Sequence, residues 1–139
     1  MGGQGDDRLY GDDGDDIVYG NMGADTCDGG AGNDIVRGGQ GDDLVFGWSG
    51  DDWLSGDRGD DTLSGGSGAD TFHTWGDAGI DLVTDFNFAE GDRVNLLQGT
   101  SYSVSQQGAD TVIDMAGGGK MILQNVDMSS LGAGWIFGA

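Results

Sequence analysis

Read from Gly2 in steps of nine, the first half of the chain repeats itself eight times. The blocks are GGQGDDRLY, GDDGDDIVY, GNMGADTCD, GGAGNDIVR, GGQGDDLVF, GWSGDDWLS, GDRGDDTLS and GGSGADTFH, closing at His73. Glycine holds the first and fourth positions of every block, aspartate the sixth and an apolar residue the eighth. A flexible glycine-rich linker would not fix an acid and an apolar residue at constant spacing. Three residues around the apolar position make a strand of roughly 10 Å, and only the middle one faces inward because side chains alternate. The six residues before it reverse the chain, using the positive φ open to glycine. Two reversals close a coil, so one coil takes two blocks. Stacked coils form two parallel sheets with turns along each edge. The expected fold is all-β: stacked parallel coils over residues 2–73, four deep.

The chain carries 31 glycines, no proline, and 25 acidic against 5 basic residues, for a net charge of -20. Such charge with low hydrophobicity ordinarily marks disorder, yet 36% of residues are apolar and regularly placed. The combination points to a domain disordered alone and ordered by a cation. The charge argues against nucleic acid or an anionic membrane as partner. No stretch reaches the 18 or more apolar residues of a membrane span, and no signal-peptide pattern is legible. A single cysteine, Cys27, excludes an internal disulfide and fills an inward position as a small hydrophobe. The missing proline, the early start of the pattern and the bare Met1 read as a fragment of a larger protein.

The sixth-position aspartates are Asp7, Asp16, Asp25, Asp34, Asp43, Asp52, Asp61 and Asp70. Alternate blocks lie one coil apart, so their carboxylates stack about 4.8 Å from one another. A cation midway bonds to both turns at about 2.4 Å, inside the ~2.3–2.6 Å range of Ca²⁺ and beyond the ~2.0–2.1 Å of Mg²⁺. Turn carbonyls supply further hard oxygen ligands. Zinc is disfavoured, since His73 and Cys27 are the only good soft or borderline ligands.

The nonapeptide G-G-x-G-x-D-x-U-x resembles the calcium-binding repeat of the RTX (repeats-in-toxin, haemolysin-type) family, and the resemblance implies that the coils form a right-handed parallel β-roll. The resemblance implies that each Ca²⁺ takes carbonyls two and four plus the Asp of one turn, with carbonyls one and three plus the Asp of the turn one coil later. Each carboxylate then bridges two ions. The pair Asp7–Asp25 is joined by the carbonyls of Gly3, Gly5, Gly20 and Met22, and Asp16–Asp34 by Asp12, Gly14, Gly29 and Ala31. Asp25–Asp43 draws on Asn21, Gly23, Gly38 and Gln40, and Asp34–Asp52 on Gly30, Gly32, Gly47 and Ser49. Asp43–Asp61 draws on Gly39, Gly41, Gly56 and Arg58, and Asp52–Asp70 on Trp48, Gly50, Gly65 and Ser67. Six ions would reduce the net charge from -20 to about -8. At position two, Asp12, Asn21, Trp48 and Asp57 replace glycine; Trp48 is the bulkiest for such a turn. Ala24, Asn33 and Ala69 sit at position five, which this scheme does not use.

After the insertion Thr74-Trp75 comes a ninth block, GDAGIDLVT, over 76–84. It offers a seventh site: Asp61–Asp81 with Asp57, Gly59, Gly76 and Ala78. Residues 74–139 then read as a β-rich cap, with a hairpin of Thr111–Met115, a turn at Ala116–Gly119 and a strand at Lys120–Gln124. This segment resembles the end of serralysin-type proteases and related secreted lipases. Phe72, Phe86, Phe88, Trp135, Ile136 and Phe137 are placed to seal the last coil, whereas Asp85 and Asp92 read as a solvated loop in preference to a further Ca²⁺ site in the cap. Ile17, Ile35 and Trp53 form an outward stripe on one sheet.

No HExxH, GxSxG or P-loop pattern is present, and the expectation is a calcium-binding module rather than an enzyme. The resemblance implies type I secretion from a Gram-negative bacterium, folding in external Ca²⁺, and attachment to an N-terminal parent domain. One alternative is a fragment of a secreted protease or lipase. The other is a carbohydrate-binding accessory module of a polysaccharide-modifying enzyme. That needs a basic or aromatic groove, for which Arg8, Arg37, Arg58, Arg93 and Lys120 are too dispersed in sequence.

Overall fold

The computed structural model describes residues 1–139 and turns the nine-residue period into rungs. Its strands are β1 (Gly3–Gln4), β2 (Arg8–Tyr10), β3 (Ile17–Met22), β4 (Thr26–Ala31), β5 (Ile35–Gln40), β6 (Leu44–Ser49), β7 (Trp53–Arg58) and β8 (Thr62–Ser64). They continue as β9 (Thr71–Thr74), β10 (Ile80–Val83), β11 (Arg93–Leu96), β12 (Tyr102–Gln107), β13 (Asp110–Met115), β14 (Lys120–Leu123) and β15 (Ile136–Phe137). Odd strands up to β11, with β15, form one seven-stranded sheet. The eight-stranded sheet runs β12-β13-β14-β10-β8-β6-β4-β2. The result is a parallel β-roll of about five turns. Only β12–β13 and β13–β14 pair antiparallel.

Register places every eighth-position residue on its counterpart one coil away. In one sheet Val18, Val36, Leu54, Phe72 and Val94 form a continuous inward row. In the other, Leu9, Cys27, Val45, Leu63, Val83 and Leu123 do the same. Apart from half-buried Leu9, at the first rung, these residues are buried and belong to one core. The interior is therefore one side chain thick per strand. That is little apolar burial to set against ordering so much glycine.

The insertion at Thr74-Trp75 does not shift the ninth block: Leu82 pairs with Thr62 and Val83 with Leu63. A further rung, hidden in the sequence, follows at β11, where Val94 lies opposite Phe72. Both sheets then continue through the cap, since β14 joins β10 and β15 joins β11 in parallel. The expected hairpin is β13–β14, and β12 extends it by one more antiparallel strand. Phe72 packs on Phe86, and Phe86 meets the edge of Trp135 at 6.4 Å. Phe137 does not take part in the seal: it is 47% exposed. Ile136 takes the core-packing place on that strand, and alternation turns Phe137 outward.

Leu54 is fully buried, whereas Ile17 is 75% exposed. In saturating Ca²⁺, Leu54→Ala is expected to cost about 2–5 kcal/mol through lost transfer energy and a residual cavity. Ile17→Ser is expected to stay within about 0.5 kcal/mol. Denaturant unfolding of the two variants beside the parent chain checks both.

Candidate metal centre

The turns carry the acids, and two hydrogen-bond ladders run along them. At the sixth position, each Asp main-chain N–H donates to Oδ1 of the Asp one coil later. On one edge Asp7 donates to Asp25, Asp25 to Asp43, Asp43 to Asp61 and Asp61 to Asp81, the last at 3.3 Å. On the other, Asp16 donates to Asp34, Asp34 to Asp52, Asp52 to Asp70 and Asp70 to Asp92. At the fifth position an exposed ladder runs the opposite way, with Asn33 N–H donating to Asp15 and Asp51 N–H to Asn33. On the other edge the Ala24 N–H donates to Asp6, but Ala24 has no side-chain acceptor to pass the row on to Asp42. The sequence signal was an Asp or Asn preceding the invariant Asp in most blocks.

The second carboxylate oxygen is the telling atom. Oδ2 of Asp16, Asp25, Asp34, Asp43, Asp52, Asp61 and Asp70 is buried and has no hydrogen-bond partner. Buried acceptors are almost always satisfied, and an unmatched buried carboxylate is costly. Each of these oxygens lies against the first glycine of its own block. Any larger residue at Gly38 would collide with Oδ2 of Asp43. At position four, Gly41 has φ 130° and a side chain there would meet the Gly23 carbonyl.

The position-two substitutions fit the turn. Asp12, Asn21, Trp48 and Asp57 have φ of 75°, 83°, 77° and 72°. That is the left-handed conformation shared by Gly30, Gly39 and Gly66. Trp48 is accommodated by pointing out, where its indole N–H donates to Asp28 at 2.9 Å and its ring lies 6.2 Å from Phe46. Third-position carbonyls, including Met22, Gln40, Arg58 and Ala78, each accept the N–H of the fourth-position glycine one coil earlier. A carbonyl has a second lone pair, so these bonds leave capacity for a ligand role. No three His, Cys, Asp or Glu side chains converge on a point. The available donor set is a pair of stacked carboxylates with main-chain oxygens, which suits a hard cation of high coordination number.

Two acids depart from the sequence reading. Asp92 is buried, not solvated, and extends its edge by one rung. Its other oxygen accepts the Asn87 N–H at 2.8 Å. The spacing hid it, because Asp92 follows Asp70 by 22 residues and its glycine, Gly91, falls one position late. Asp85 is half-buried and accepts bonds from the Ser64 hydroxyl and from the N–H groups of Gly65 and Gly66.

Burial pushes the carboxyls of Asp43, Asp52, Asp70 and Asp92 up to about 6, with neighbouring carboxylates adding to the rise. Asp61 also rises to about 6 through burial, while Asp81, facing Asp61, rises to about 8. Burial raises Asp34 as well, and it lifts the Cys27 thiol to about 12. His73 stacks on Trp53 at 5.1 Å, lies 5.9 Å from Trp75 and bonds to Asn95.

The RTX calcium-binding nonapeptide repeat matches in four copies, over residues 1–36, 19–54, 28–63 and 49–83. The chain belongs to the RTX calcium-binding repeat family. Its fold is similar to the AlgE6R3 subunit of the Azotobacter vinelandii mannuronan C5-epimerase, at 26% identity and TM-score 0.59, covering all of this chain and 81% of that one. The AlgE6R2 subunit is similar at 25% identity and TM-score 0.54, covering 97% and 89%. The extracellular lipase LipA of Serratia marcescens shares the fold at 18% identity and TM-score 0.53, and this RTX chain spans 39% of its length. No curated protein sequence matches the chain. No helix is long and apolar enough to cross a membrane.

Raised carboxyl values fix the sign of a pH effect. A group whose value rises on folding favours the fold below its unfolded value, ~3.9 for Asp, and loses that contribution as pH climbs through the folded value. In Ca²⁺-free buffer, β signal in circular dichroism is therefore expected to fall as pH climbs through about 6, with Asp81 extending the loss toward about 8. A signal rising with pH over this window would contradict the assignment.

Proposed function

We propose that residues 2–73 form a calcium-folded module, closed by a cap over 74–139, and that it serves as a non-catalytic part of a secreted protein. The observation that carries this reading is the double row of buried carboxylate oxygens without partners. The pairs Asp7–Asp25, Asp16–Asp34, Asp25–Asp43, Asp34–Asp52, Asp43–Asp61 and Asp52–Asp70 hold one ion each, joined by the turn carbonyls named above. Asp61–Asp81 makes a seventh, supported by the unbroken register of the ninth block. Asp70–Asp92 repeats the same N–H to carboxylate contact and makes an eighth. When bound, Ca²⁺ supplies positive charge and hard coordination between successive rungs. The chain's own contribution is to hold the carboxylates in line, desolvated and one coil apart.

Folding is then coupled to calcium. A thin core and a net charge of -20 leave the free chain expanded, and ion binding contributes folding free energy directly. This logic suits a chain that leaves a Gram-negative cell unfolded through a type I secretion apparatus and folds outside, where calcium is plentiful. The extracellular setting of the Serratia lipase is in keeping with that reading.

Calcium titration followed by circular dichroism tests it. A coil-like spectrum is expected to convert cooperatively to a β spectrum, with Mg²⁺ much less effective; no change through tens of millimolar Ca²⁺ would count against coupled folding. In calorimetry, Asp43→Asn is expected to weaken two sites, because Asp43 has a partner on both sides. Asp7→Asn should weaken one. Equal losses would refute carboxylates shared between neighbouring ions.

A further inference from the structure

The two sheets of the roll end in four edge strands: β1 and β15 in one, β2 and β12 in the other. Three of them are blunted. β1 and β15 are two residues long, and β2 is three residues long and carries Arg8. The fourth, β12, runs for six residues, Tyr102–Gln107, and pairs with β13 without interruption. It has no proline, no charged side chain and no bulge. Those are the features that keep an open edge from pairing.

The main chain of β12 is half used. Gln107 and Asp110 close the two-residue turn at Gly108-Ala109, and such a turn closes on a hydrogen-bonded pair. Bonded pairs alternate along an antiparallel ladder, so Gln107, Ser105 and Ser103 bond to β13. The Ala116 N–H donates to the Ser101 carbonyl at 2.8 Å and continues that alternation. The N–H and C=O groups of Tyr102, Val104 and Gln106 face away from β13, where no other segment of the chain bonds to them.

Charge decides what can approach. A chain of net charge -20 repels its own copies. Residues 95–109, however, contain no Asp, Glu, Lys or Arg, and no other uncharged run of the chain is as long. Of the two acids on β13, Asp114 is neutralised by Lys120 and Asp110 accepts the Asn125 N–H at 2.8 Å. Two copies can meet along β12 without setting carboxylates face to face. The edge is also self-complementary. Turned about a two-fold axis through Val104, it meets its copy antiparallel, with Tyr102 opposite the second copy's Gln106. Each free N–H then faces a free C=O, and Val104 stays on the core side in both copies.

We propose that β12 pairs with β12 of a second copy of this chain, joining two eight-stranded sheets into one. The contact lies outside the acid rows and needs only the folded roll. Sedimentation equilibrium of the full chain in saturating Ca²⁺ tests it, up to about 1 mM protein. The mass is expected to rise toward twice that of the chain. Amide exchange followed by NMR is expected to slow with concentration at Tyr102, Val104 and Gln106, and to stay constant at Ser103 and Ser105. Val104→Pro removes the central donor of the open side, and Ser105→Glu puts a negative charge on the joining strand of both copies. Each is expected to weaken the dimer about tenfold or more, compared at calcium concentrations where the β spectra coincide with the parent chain. A monomer throughout would overturn the proposal and leave the edge to a strand of another protein. A dimer that neither variant weakens, or one without slowed exchange at those three amides, would overturn it by placing the contact elsewhere.

Discussion

Like charges one rung apart govern this molecule. Parallel pairing sets the rung spacing, and an invariant Asp in every block makes each edge a file of carboxylates about 4.8 Å apart. Part of the repulsion is answered within the chain. From Asp25 onward, one oxygen of each acid accepts the main-chain N–H of the Asp one coil earlier, as Asp52 does for Asp34. From Asp16 to Asp70 the other oxygen is buried against glycine and unanswered. Every other feature adjusts to that demand: glycine at position one makes room for the oxygen, and the thin core cannot enforce order against the charge alone.

The sequence made the roll readable because its period is strict. A nine-residue repeat with a fixed inward residue determines strand, turn, coil and register together, so Val36 on Leu54 and Asp43 on Asp61 follow from arithmetic. Reading failed where the count changed. The rung at β11 keeps an inward Val94 and a buried Asp92, but the preceding loop is longer and its glycine displaced. Spacing alone could not tell such a rung from solvated loop. Phe137 was misread because composition shows an aromatic without showing which face of a two-residue strand it takes.

The surroundings of Arg37 on the seven-stranded sheet illustrate a different limit. Arg37 and Arg58 occupy positions nine and three of their blocks, so no one-dimensional pattern joins them. Strand pairing across one coil does. Tyr19 on β3 and Asp57 on β7, the latter steadied by Ser55, then orient Arg37 from the two rungs flanking its own. Position two, which tolerates Asp57 because Asp adopts the left-handed turn, gains a role beyond the backbone.

The acidic files stop at the cap. Opposite Asp81 the cap places Met121, and the β11–β15 pairing begins only at Val94 and Ile136, past Asp92. Because each coil contacts only its neighbours, duplicating an 18-residue unit within the repeats would lengthen the roll while the cap keeps its own contacts. Evolution can therefore vary the length of such a module by copying, while the cap stays unchanged.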